Sequence, residues 1–201
     1  KFKKGVAVNL PGFIGSSVSG EDHLDIAWLE NQGVEVFCAK GCNADSVRDY
    51  VLAVLIELKV LSFDLAIDSC KPKVNKLAGV IGYGHVGSKV ADLFYALGFK
   101  VIIYDPFVNK TGNQVINGRD YLFANKLDEL CACNIISMHC SLTNKSDHGA
   151  KASESMINKS FIQKLKPGAI LLNASRGEVI NEADLLKYAK NMLKTTLPHI
   201  Q

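Results

Sequence analysis

No apolar run in the 201-residue chain exceeds six residues, Val51 to Ile56, whereas a helix crossing a bilayer needs roughly 20. No segment can therefore span a membrane as a helix. Neither sign of charge dominates: 23 Lys and Arg stand against 20 Asp and Glu, a net +3 spread along the chain. Without a basic stripe there is no electrostatic footprint for nucleic acid, while an anionic small molecule stays compatible with the balance. The six cysteines, Cys38, Cys42, Cys70, Cys131, Cys133 and Cys140, lack CxxC pairing and any His spacing suited to zinc. They read as reduced thiols of a cytoplasmic protein, with no metal site expected. No small-residue cleavage pattern follows the start, KFKKGVAVNLPGF, which Asn9 and Pro11 interrupt. A signal peptide is not expected, and the missing initiator Met reads as a start inside a gene product or after processing. Internal repeats and low-complexity tracts are missing too. What is present, 48% apolar and 21% charged residues, suffices for one large or two small globular cores.

Strand and helix signals alternate along the chain. A strand at Gly5 to Val8 precedes FIGSSVSG, and HLDIAWLENQG follows as a helix with Leu24, Ala27 and Trp28 on one face and Gly33 as its cap. VEVFCA, from Val34 to Ala39, is a strand. Asn43 caps the next helix, ADSVRDYVLAVLIELKVL, whose apolar content predicts that it is mostly buried and bridges two halves. From Lys76 the order is strand (LAGVIG), glycine turn, helix (SKVADLFYALG) and strand (KVIIYD), a βαβ unit that implies a parallel sheet. LDELCAC follows as a short helix, NIISMHC as a strand, and ESMINKSFIQKLK as one or two helices. Pro167 and Gly168 then make a turn, AILLNAS a strand, and NEADLLKYAKNML a helix capped by Asn181. TNKSDHGAKASES reads as a flexible loop carrying His148. Repeated βα units define an α/β, doubly wound, Rossmann-like domain.

Gly82, Gly84 and Gly87 stand in GYGHVG between a strand and a helix, the context in which this motif cradles a dinucleotide. The first glycine allows the tight turn, the second lets backbone approach a pyrophosphate, and the third lets helix pack on strand, with helix amides facing the negative charge. Backbone contact from His85 and Val86 completes the loop. Asp105 ends the next strand, eighteen residues beyond Gly87, where a carboxylate can accept both ribose hydroxyls and repel the extra phosphate of NADP. NAD is the expected cofactor. His139, at the C-terminal end of a parallel strand, lies where open sheets bind ligands, whereas His23 reads as structural.

GYGHVG, YDP at Tyr104 to Pro106, MHCSLT at Met138 to Thr143, LKPGAILLNASRGEVI at Leu165 to Ile180 and the trailing PHI together resemble the D-2-hydroxyacid dehydrogenases, over most of residues 13 to 190. Within that superfamily, FIGSSVSGEDH and the GCNA tetrapeptide at Gly41 to Ala44 resemble the 4-phosphoerythronate dehydrogenase family. The resemblance implies NAD-dependent oxidation of 4-phospho-D-erythronate to the 2-oxo acid on the route to pyridoxal 5'-phosphate, by a homodimer. It implies that Arg176 binds the substrate carboxylate and polarises C2, that Ala174 and Ser175 sit beside the nicotinamide, and that Pro106 and Cys140 contact the cofactor. Cys140 stands where the family commonly has Thr, and Val18 stands where a hydroxyl residue would hold substrate. His199 matches the start of the segment that carries the catalytic base.

Hydride leaves C2 as its hydroxyl loses a proton, so a base at that oxygen and a cation at the carboxylate must be placed together. An Arg176 guanidinium can hold a carboxylate through two parallel hydrogen bonds, and a His base titrates near neutrality. The family carries a strand, a loop with the Glu that pairs with this His, and a helix between the positions of Leu193 and His199; here five residues, Lys194 to Pro198, stand there. We therefore expect an incomplete chain: residues 1–42 as part of a flavodoxin-like substrate domain, 43–193 as an NAD-binding domain opened by the bridging helix, and 194–201 as a truncated return segment. Such a remnant would expose apolar faces and aggregate or depend on a partner. Two other functions fit the same residues: an NAD-binding or regulatory chain without turnover, and a dehydrogenase for another D-2-hydroxy acid such as 3-phosphoglycerate.

Overall fold

The computed structural model describes residues 9–17, 21, 23–60 and 76–188. The strand expected at Gly5 to Val8, Val18, Cys70, His199 and the segment 194–201 lie outside the described residues. A small parallel pair, β1 (Phe13–Ser16) and β2 (Glu35–Cys38), is joined through helix α1 (Ile26–Asn31). Helix α2 (Ala44–Glu57) then leads to a six-stranded sheet built from β3 (Leu77–Ile81), β4 (Lys100–Tyr104), β5 (Gly112–Ile116), β6 (Arg119–Phe123), β7 (Ile135–Met138) and β8 (Ile170–Asn173). Strand order is β5-β6-β4-β3-β7-β8, parallel throughout except that β5 runs antiparallel to β6.

The central strands are apolar on both faces because both are covered. Alternation along β4 divides the core. Val101 and Ile103 join Val51 and Leu55 of α2 and Val90 and Phe94 of helix α3 (His85–Ala96). Ile102 points the other way, into a cluster with Leu130, Met138, Ile157 and Phe161. Chain connections from β3 lead to β4 on one side, while β7 flanks β3 on the other, so the sheet reverses direction of winding at β3. In open α/β sheets, ligands bind in the crevice at the carboxyl ends of the strands at such a switch point.

Several local expectations are corrected. In α1 the buried residue is Leu29, while Ala27 is exposed. The Asp25 carboxylate accepts the Trp28 amide and caps a helix that starts at Ile26, two positions beyond Leu24, which therefore lies outside it. Gly33, at φ 80°, ends α1 as expected. FIGSSVSG contributes a strand, β1, that its glycine and serines hide. Helix α2 buries Ala44, Val51 and Leu55, but Tyr50, Ile56 and Leu58 are exposed; one face packs on α3 and the sheet, and the opposite face is uncovered.

LDELCAC forms a 3₁₀ helix over Leu127–Ala132. Between it and β4 stands an unforeseen hairpin, β5–β6, whose tip residues Asn117 and Gly118 have φ of 51° and 74°, the signature of a type I′ turn. The segment read as a flexible loop is structured: α4 (Lys145–His148) and a 3₁₀ turn (Gly149–Lys151) are closed at their base by the buried Ser153. Its hydroxyl donates to Ser141 O at 2.7 Å, and its amide donates to the Thr143 hydroxyl at 2.8 Å. α5 (Lys159–Ile162), capped by Asn158, and a helix over residues 182–188, capped by Asn181, follow as expected.

Candidate functional site

The glycine loop joins β3 to α3. Gly82, at φ 88°, donates its amide to Tyr104 O at 2.9 Å, and a Cβ there would meet Cys140 N at 2.8 Å. A Cβ on Gly87 would lie 1.8 Å from Gly82 O, so the third glycine is what allows helix to touch strand. Around Gly84 nothing lies within 4 Å of a Cβ position. The open space in front of the α3 N-terminus is therefore where backbone can approach a pyrophosphate. Asp105, just beyond β4, holds the loop: one oxygen accepts Tyr83 N at 2.7 Å and the other accepts Phe107 N at 2.9 Å. Each oxygen keeps a lone pair for a ribose hydroxyl.

Two cavities meet at Gly84, His139, Cys140 and Ser141. One, about 320 Å³, runs past Asp105, Pro106 and Phe107 toward His148 and Lys151. Phe107 meets the His148 ring edge-on, with centroids 5.5 Å apart, and Lys151 Nζ lies 5.8 Å over the Phe107 ring. The other, about 480 Å³, is lined by Lys40, His85, Val86, Ala174, Ser175 and Arg176 among others. These two spaces and the open glycine suit a dinucleotide with one end at Asp105 and the other at the loop after β8. The NAD residues expected from sequence, Gly82, Gly84, His85, Val86, Gly87, Asp105, Pro106, Cys140, Ala174, Ser175 and Arg176, stand on this loop or along these walls.

At the junction the titratable groups are neutral. Burial pushes His139 down to about 4, with Nε2 2.8 Å from the hydroxyl of the fully buried Ser137 and Nδ1 buried without a partner. Burial pushes the Cys140 thiol up to about 11, a Ser175 hydrogen bond partly opposing it. At pH 7 one is imidazole and the other thiol, neither a nucleophile nor a charge.

Sequence reasoning missed Asn173, at the end of β8. Its Oδ1 accepts the Ser175 amide at 3.0 Å and the Ser175 hydroxyl at 2.7 Å, and its Nδ2 donates to Arg176 O at 2.8 Å. Asn173 thus shapes the turn that presents Ser175 and Arg176, while the Ala174 amide extends the ladder to Met138 O at 3.2 Å. The signal was Asn at the end of an apolar strand, a residue suited to holding its own backbone two positions on. His85 is also more than backbone: its ring packs against Gly41 of the GCNA turn, where a Cβ would meet it at 2.8 Å. His23 reaches the Ser16 hydroxyl at 3.4 Å, the structural part expected of it. Cys38, Cys42, Cys131, Cys133 and Cys140 are free thiols. Among the described residues no group of three or more His, Cys, Asp or Glu could hold a metal, and no helix is long and apolar enough to cross a membrane.

Residues 69–193 match the family described as D-isomer specific 2-hydroxyacid dehydrogenase, NAD binding domain. The chain belongs to this family. The chain is 37% identical over 185 residues to the erythronate-4-phosphate dehydrogenase of Legionella pneumophila strain Philadelphia 1, covering 92% of this chain and 47% of the relative. It is 35% identical to that of Marinomonas sp. strain MWYL1, covering 90% and 43%. Among solved structures, the D-lactate dehydrogenase with NAD+ from Lactobacillus jensenii superposes with a TM-score of 0.65 at 26% identity, covering 90% of this chain and 55% of that one. The chain thus spans less than half the length of the two erythronate-4-phosphate dehydrogenases.

Proposed function

We propose that the chain binds NAD across the two joined cavities and serves the oxidation of 4-phospho-D-erythronate at C2, giving the 2-oxo acid used in making pyridoxal 5'-phosphate. The observation that carries this reading is the placing of Arg176 in the same cavity as the open glycine loop. The names of the relatives at 35–37% identity supply the substrate. On this reading residues 1–42 belong to a substrate domain, 43–193 form the NAD-binding domain, 194–201 return toward the substrate domain, and the active form is a cytoplasmic homodimer.

Bound NAD supplies the hydride acceptor. Arg176 grips the substrate carboxylate by two parallel hydrogen bonds, which fixes the face of C2 turned to the nicotinamide. Ala174 and Ser175, in the turn that Asn173 shapes, would form the wall beside that ring. Neutral His139 and Cys140 add no charge of their own at the junction of the two cavities. The hydroxyl proton released with the hydride would pass to His199, histidine being the residue type whose ordinary pKa lies near neutrality.

The test is NADH formation on mixing the purified chain with NAD and 4-phospho-D-erythronate. Turnover is expected, and Arg176→Lys is expected to cost about 100-fold or more in kcat/KM because a point charge cannot replace the fork. A folded chain that binds NAD and produces no NADH would leave the NAD site and overturn the substrate reading.

A further inference from the structure

The GCNA turn places a second cationic group in the cavity that holds Arg176. Gly41, at φ 80°, turns the chain so closely over the glycine loop that His85 packs on it, with ring carbons 2.8 Å from a Cβ position. Lys40 precedes that glycine. Lys40 and His85 both line the 480 Å³ cavity, with Arg176 on the same lining from the loop after β8. Lys40 Nζ is paired with Glu21 at 2.7 Å, the lysine exposed and the glutamate partly so, and both line this cavity. Lys40 and Arg176 come from separate segments of the chain, so two cationic side chains stand on the lining of one cavity.

A monoanionic hydroxy acid would use one of these centres. We propose that Lys40, with His85 beside it, is the seat for the phosphate of a phosphorylated 2-hydroxy acid whose carboxylate lies on Arg176. This deepens the functional reading above and rests on it for the choice of substrate. Lys40 is poised by Glu21, which holds the ammonium through an exposed pair worth little in itself; a phosphate dianion competes for the same ammonium and gains charge-assisted hydrogen bonds. His85 contributes the ring that keeps the Gly41 turn, and hence Lys40, against the cofactor loop.

The experiment is equilibrium titration of the full chain, with NAD present, by 4-phospho-D-erythronate and by D-erythronate, in wild type, Lys40→Met, Lys40→Arg and His85→Ala. The readout is the ratio of the two affinities. Wild type is expected to prefer the phosphorylated acid; Lys40→Met reduces that preference about tenfold or more, as loss of a charged hydrogen bond does. Lys40→Arg restores most of it, and His85→Ala reduces it less than Lys40→Met. An unchanged ratio in Lys40→Met overturns the proposal, as does a wild type that does not distinguish the two acids. Turnover is followed in parallel: binding through Lys40 without NADH formation would overturn the dehydrogenase reading and leave the phosphate seat standing.

Discussion

At the scale of single residues, the three glycines of GYGHVG are separable by what surrounds them. Gly87→Ala drives a methyl into Gly82 O and is expected to cost about 2 kcal/mol or more of stability, as overpacking does. Gly84→Ala meets nothing, so denaturant unfolding should register at most about 1 kcal/mol, the ordinary loss at an N-cap, while NAD affinity falls about tenfold because the methyl takes the space of the pyrophosphate. Equal effects of the two substitutions on stability would contradict this division. His139 carries a pH dependence. Its imidazole titrates near 6.5 in the unfolded chain and about 4 in the folded one, so between those values the unfolded chain binds more protons. Stability is therefore full above pH 6.5, declines as pH falls toward 4 by on the order of 3 kcal/mol, and levels off below. Unfolding free energies of wild type and His139→Asn at pH 7.5 and 5 check this: the wild type should lose more. Asn173→Ala, which frees the Ser175 and Arg176 turn, should raise KM for the hydroxy acid by a larger factor than it raises the Kd for NAD.

At the scale of elements, the β3–α3–β4 unit was legible because each level agreed: an apolar strand, glycines with distinct steric duties, an amphipathic helix and an acid after the second strand. The β5–β6 hairpin was not read, although Asn117 and Gly118 are a strong local signal for it; GNQVI and RDYLF are polar enough at the sheet margin to pass for loop. Burial pattern explains the miss, since an edge strand such as β5 shows only half an apolar face. Gly118→Val, forced to φ near 74°, is expected to cost about 1–2 kcal/mol, measured by denaturant unfolding. The Thr143 to Ser153 segment looked flexible from its polar composition, but Ser153 closes it with hydrogen bonds between residues ten apart, which composition cannot reveal. Of the site, the cofactor loop, Asp105 and the Arg176 turn were visible as motifs, and Asn173 acts locally on Ser175 and Arg176 but was overlooked at the end of its strand, while the place of Lys40 and the seating of His85 on Gly41 depend on contacts between distant segments.

At the scale of the whole molecule, stability is uneven. The six-stranded sheet has core on both faces, whereas β1 and β2 form a two-stranded pair with Phe13 and Phe37 54% and 61% exposed. Two strands alone are marginal in water, so hydrogen exchange should proceed first over 13–16 and 35–38 and last over 77–81 and 135–138; uniform exchange would contradict it. The phosphate seat proposed at Lys40 follows β2 and so rests on the less stable part, while the glycine loop rests on the stable sheet. NAD binding is then the property most firmly tied to this fold. Calorimetric titration of the chain with NAD and with NADP tests it most directly. The arrangement of Asp105 and the open Gly84 predicts saturable binding of NAD, tighter than NADP by about tenfold or more and weakened by Gly84→Ala. A folded chain that binds neither, or that binds NADP more tightly, would contradict the account.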